Sequence, residues 1–169
     1  MNRRSLLSIS AMTMLGLALV SGTAVAQQKS LKEQLVGTWT LVSSDYTASN
    51  GTKRQPFGAN PKAILIFDAG GRYAAVGGPS NRPKFKSASQ PTTEELAAAT
   101  ENYYAANFGT WSVTEADKTL TRRYESALRP NNEGTDVKDS INLVGDELKL
   151  SGVVPASGTK IESVYRRAK

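Results

Sequence analysis

The feature that most constrains this chain is a succession of eight short segments with strand character, each ended by a cluster of turn-forming residues. From Gly37 the hydrophobic period is two, with Trp39, Leu41, Ser43 and Asp45 on one face and Thr38, Thr40, Val42 and Ser44 on the other. "KAILIFD" (Lys62 to Asp68) and "RYAAVG" (Arg72 to Gly77) flank an "AGG" turn and predict a hairpin. Further strands are expected at Phe108 to Glu115, Lys118 to Ala127, Thr135 to Val144, Glu147 to Gly152 and Thr159 to Arg167, joined by "ADK", "PNNEG", "GD" and "PASG". Eight short, mostly antiparallel strands with tight turns close into a barrel or stack as a sandwich, and closure removes the edges at which strands aggregate.

Two helices interrupt this β pattern. Ser30 followed by Glu33 forms a capping-box pattern, which predicts a short N-terminal helix with Leu31 and Leu35 on one face. Thr92 and Glu95 repeat the pattern at the start of "PTTEELAAATENYYAAN", so an inserted helix is expected over Pro91 to Asn107 with Leu96, Ala99, Thr100 and Tyr103 on one stripe. Both tryptophans lie in near-identical pieces, "LVGTWTLVS" (Leu35 to Ser43) and "FGTWSVT" (Phe108 to Thr114). Gly37 permits the sharp passage from helix to strand, and Trp39 then points inward as a large apolar stopper. Gly109 is expected to perform the same change of direction, with Trp111 packing on the face of Val113.

The N-terminus reads as a signal peptide over residues 1–26. Arg3 and Arg4 supply the positive start, Leu6 to Val20 the apolar run, and Ala24, Val25 and Ala26 the small residues at the cleavage point. "NRRSLL" resembles a twin-arginine export signal, with Ser8 where that pattern usually continues with Lys, so the general and twin-arginine routes both stay open. Residues 27–169 would then form one domain, located in a periplasm or outside the cell and free of the membrane. The chain has no Cys, so packing alone must hold the domain, and no His, which removes the commonest metal ligand and general base. A net charge of +6 includes Arg3 and Arg4, and the remaining basic residues are scattered, unlike the basic stripes of nucleic-acid binders. "NNEGTDVKD" lacks the acidic spacing of a calcium loop, and there is no phosphate loop or nucleophile elbow; neither metal nor cofactor is expected.

The ordered set "LVGTWTLVS", "PFGANPKAILIFDAGGRYAA", "RPKF", the Glu/Ala-rich helix, "NFGTWSV" and "PNNEGT…GDELKLS" resembles the lipocalin-like domain family of bacterial and fungal proteins, over about Leu31 to Tyr165. The resemblance implies an all-β, eight-stranded antiparallel up-and-down barrel whose central cavity admits a small apolar or amphipathic ligand. It also implies that Trp39 sits at the closed end with an arginine stacked on it, a part that Arg166 or Arg167 would fill. Members of the family often carry His-His where this chain has Arg122-Arg123, so no role that needs imidazole carries over.

The residues themselves single out the strand "KTLTRRYES". Leu120, Arg122 and Tyr124 share one face, and on the next strand Val137, Asp139, Ile141 and Leu143 share another, so each strand turns one charge inward. Closing the hairpin with like faces together predicts the pairs Leu120 with Ile141, Arg122 with Asp139 and Tyr124 with Val137. Arg122, with Tyr124 nearby, would anchor the acidic or carbonyl head of a ligand whose apolar tail lies along Leu41, Leu65 and Phe67, with Tyr103 at the entrance. The same pair also reads as a salt bridge that merely satisfies itself on the wall. Binding or carriage of a small molecule is the leading expectation. The alternatives are a cyclase or isomerase working with Tyr, Asp and Arg groups, and a structural or stress-related domain without ligand.

Overall fold

The computed structural model describes residues 29–101 and 105–169, so the expected signal peptide lies outside the described residues. Each strand pairs antiparallel with the next and the last returns to the first, which closes an up-and-down barrel. The elements are α1 (Leu31–Leu35), β1 (Gly37–Thr47), β2 (Lys53–Arg54), β3 (Pro61–Phe67), β4 (Arg72–Pro79), α2 (Thr93–Glu101), β5 (Ala105–Thr114), β6 (Thr119–Ala127), β7 (Asp136–Val144), β8 (Glu147–Val154) and β9 (Thr159–Arg167). Eight of these strands form the barrel. The two-residue β2 is a stub on the far end of β1, where Arg54 faces Tyr46.

Apolar residues gather at one end of the barrel. Leu35, Trp39, Leu65, Phe67, Trp111 and Leu120 head a single cluster there, and burying each large side chain stabilises the fold by about 1.5–3 kcal/mol. Trp39 is fully buried, its indole N–H donates to the Leu35 carbonyl at 2.8 Å, and the Arg167 guanidinium lies 4.2 Å from its ring centroid. Arg167, rather than Arg166, is therefore the stacked cation. It donates also to the carbonyls of Gln34 (2.7 Å) and Val36 (3.2 Å), which ties the C-terminal strand to the end of α1. Gly37 has φ +129°, the left-handed region, and a Cβ there would stand 3.3 Å from the Arg167 Nη1. The capping box of Ser30 and Glu33 is formed, and Glu115 accepts from the Leu31 and Lys32 amides, so α1 is fastened across the closed end.

Four expectations are corrected. Helix α2 ends at Glu101, and residues Ala105 to Asn107 are strand, because pairing with β4 on one side and β6 on the other satisfies their backbone groups and overrides the helical preference of alanine. Gly109 consequently does not begin a strand or turn the chain. It lies within β5 at an irregularity, in a place where a Cβ would overlap the Arg123 carbonyl oxygen, so glycine is needed there for close approach of the two backbones. Trp111 does share the inward face with Val113, packs with its ring tilted at 46° and 4.7 Å from that of Phe67, and donates to the Asp68 carbonyl at 3.1 Å. A bulge between Leu41 and Ser43 shifts the parity of β1, so that Ser44 and Tyr46, instead of Ser43 and Asp45, continue the inward face. Finally, the β6–β7 register differs by two residues from expectation: Leu120 faces Asp139 and Arg122 faces Val137.

Candidate functional site

A two-residue slip leaves every side chain on its own face, so Arg122 and Asp139 both still point inward. They now meet diagonally. The Arg122 Nη2 donates to the Asp139 Oδ2 at 2.6 Å, and their side chains are only 13% and 9% exposed. A guanidinium on its long stem can span the distance to a diagonal cross-strand neighbour, and a buried charge without such a partner would be expelled. Burial is the largest single influence on Arg122 and works against its charge, but the Asp139 carboxylate together with Tyr124 and Tyr165 outweighs it and holds the guanidinium pKa above its ordinary value.

Asp139 is given its place by the strand on its other side. It faces Gly152 of β8, and a Cβ on Gly152 would stand 2.5 Å from the Asp139 Oδ1. The carboxylate therefore fills the space that a side chain at 152 would take, and leans toward Arg122.

Around this pair the wall is phenolic. The Tyr73 ring lies 5.8 Å from the Arg122 Cζ and 6.4 Å from the Tyr124 ring. Burial raises the pKa of Tyr73, Tyr46 and Tyr165 above the usual phenol value, so all three stay protonated at neutral pH. The hydroxyls of Ser44 and Ser163 share a hydrogen bond of 2.8 Å across β1 and β9. Among the described residues, three buried side-chain polar atoms have no hydrogen-bond partner: the Tyr73 hydroxyl, the Asn107 Oδ1 and the Arg122 Nε.

The two ends of the interior differ in access. Most inward residues of the closed end are buried, with Val113 and Leu143 partly so, whereas Tyr46, Ala63, Asn107, Tyr124, Val137 and Ile161, which continue the same faces toward the other end, are all partly buried. The side chains toward that end are thus less tightly enclosed, although the Tyr73 hydroxyl, the Asn107 Oδ1 and the Arg122 Nε are themselves buried. Leu41 is buried between the two regions, while Leu65 and Phe67 belong to the closed-end cluster and form its floor. Tyr103 lies outside the described residues. Among those described, no three carboxylate side chains gather closely enough to hold a metal ion. Sequence reasoning did not single out Tyr73, Tyr165, Asn107 or Gly152. Alternation along β4 and β9 would have turned Tyr73 and Tyr165 inward, but no sequence signal marks Gly152 as the residue that accommodates Asp139.

The sequence model of the lipocalin-like domain matches residues 36–167. The chain belongs to the lipocalin-like domain family. Among solved structures, a lipocalin-like protein from Bacteroides uniformis is 16% identical, with 79% of this chain and 98% of that chain covered and a TM-score of 0.42. Fatty-acid-binding protein 1 of Echinococcus granulosus is 16% identical, with coverage of 81% and 99% and a TM-score of 0.39. A redesigned β-barrel is 14% identical, with coverage of 83% and 100% and a TM-score of 0.44. A search of curated proteins finds no match. The lipocalin-like barrel described above carries its polar pair at positions 122 and 139, on β6 and β7.

Proposed function

We propose that this lipocalin-like barrel is exported and holds a small amphipathic molecule in its interior. The apolar body of the ligand rests on Leu41 above the floor of Leu65 and Phe67, and its polar group lies at Arg122 and Asp139, with Tyr124 beside them. The observation that carries this reading is the set of buried polar atoms without a hydrogen-bond partner among the described residues, the Tyr73 hydroxyl, the Asn107 Oδ1 and the Arg122 Nε, on the inner wall of the barrel. A purely structural barrel would satisfy such atoms internally or replace them with apolar groups, since each one left alone costs about 1–3 kcal/mol. Binding sites instead combine an apolar enclosure with a few placed polar groups. The protonated phenols and the paired Asp139 suit hydrogen bonding to a ligand better than proton abstraction, which favours carriage over an isomerase reading.

Native mass spectrometry of protein purified gently from its own host tests the reading. A bound mass released on denaturation is the expected result, together with a saturable one-to-one fluorescence rise with the neutral dye Nile red. Protein that carries no bound mass and gives no saturable response would overturn it. Export is tested separately by fractionating the host, where the mature chain should begin at Gln27 outside the cytoplasm.

A further inference from the structure

The built-in counter-ion decides what kind of polar group the barrel accepts. Beyond the closed-end cluster, Arg122 and Asp139 form a buried charged pair, bound to each other at 2.6 Å, while the exposed Arg54 lies over the Tyr46 ring farther out. The pair is electrically neutral before any ligand enters. A carboxylate arriving at Arg122 would be the second carboxylate on one guanidinium, in a region where charges are poorly solvated, and one of the two would have to take up a proton or withdraw. A carbonyl oxygen faces no such conflict. It needs only a donor, and the Arg122 Nε is a buried donor without a partner, with the Tyr73 hydroxyl as a second unpartnered group on the neighbouring wall.

We infer that Asp139 is the specificity-determining residue of this barrel: it makes the site select a neutral hydrogen-bond acceptor, such as a ketone, ester or amide carbonyl, and reject the corresponding acid. Gly152 is part of the same device, because its missing side chain leaves the niche in which the Asp139 carboxylate is held. The inference rests on the binding reading above and adds the chemical class of the ligand's head.

The test compares cis-parinaric acid with its methyl ester by fluorescence titration at pH 7.5. The native protein should bind the ester at least tenfold more tightly than the acid. Asp139→Asn removes the counter-ion while keeping the shape, and should reverse the order, with the ratio of the two dissociation constants changing by about a hundredfold. Because this variant leaves Arg122 buried without a charge partner, its folding is followed in parallel with added octanoate. Octanoate should raise the melting temperature of Asp139→Asn, or restore its folding, by supplying the missing carboxylate, and should leave the native protein unaffected. Tighter binding of the acid by the native protein, an unchanged ratio in the variant, or a variant that octanoate does not stabilise would each overturn the inference. If neither probe binds the native protein, the binding reading itself fails, an outcome distinct from any of these.

Discussion

Truncating Trp39 to alanine tests how the barrel is closed. The side chain is fully buried at the meeting of α1, β1 and β9, where it packs among Leu35, Leu65 and Phe67. Removing a large buried aromatic costs about 3–5 kcal/mol through lost transfer energy and the cavity left behind. The Leu35 carbonyl also loses the indole donor at 2.8 Å, and Arg167 loses the ring face 4.2 Å away, which together add about 1 kcal/mol or more. Against a total stability of about 5–15 kcal/mol, such a loss leaves little margin. Urea titration followed by circular dichroism should show a lower midpoint at an unchanged slope. Trp39→Phe separates the contributions: it keeps an aromatic body and a face for Arg167, loses the donor, and should cost only about 1–2 kcal/mol. A loss below about 1 kcal/mol in the alanine variant would refute the stopper argument. Equal losses in the two variants would show that the hydrogen bond, and not the packing, holds the closed end.

Three further outcomes are expected. Tyr46, Tyr73 and Tyr165 keep their protons in the folded state above the ordinary phenol value of 10.0, whereas the unfolded chain gives them up. Their contribution to stability is therefore complete below about pH 10 and is lost as pH rises further, so alkaline unfolding and phenolate absorbance at 295 nm should appear together; phenolate formation by these residues in an intact barrel would contradict the burial. Gly109→Ala forces a methyl group against the Arg123 carbonyl and within 2.9 Å of the Glu125 nitrogen, and should cost about 1–3 kcal/mol by chemical denaturation; a neutral substitution would mean that β5 and β6 can separate locally without loss. Among the described side chains, helix α2 contributes none to the buried cluster, so its amides should exchange with deuterium well before those of β1, β5 and β9, and should slow when a ligand fills the barrel; strong protection in the free protein would make α2 a fixed part of the wall.

The Arg122 and Asp139 result separates what is written locally in the chain from what is not. Both residues could be placed inside from alternation alone, because the side-chain period of a strand is two and their apolar neighbours Leu120 and Ile141 leave no doubt about the face. Their pairing could not be read the same way. The β6–β7 connection is a long loop containing a single helical turn at Pro130–Asn132, and no two-residue turn sets the register. Tyr124 instead exchanges backbone hydrogen bonds with Gly134 and Thr135, which moves the partner of Arg122 from Asp139 to Val137. A long guanidinium tolerated the slip, so the expected contact formed by an unexpected geometry.

Local sequence by itself determined most of the strand segments, both capping boxes and the inward Trp39, since these depend on periodicity, turn chemistry and the backbone freedom of Gly37, all expressed within a few residues, while it left barrel and sandwich both open until the family resemblance pointed to the barrel. Tertiary structure alone decided the bulge after Leu41, the early end of α2, the closeness of Tyr73 to Arg122 and the niche that Gly152 leaves for Asp139. Each of those depends on the backbone of a neighbouring strand far away in the chain, and hydrogen-bonded pairing across a closed barrel sets such positions collectively, so no single segment contains the information.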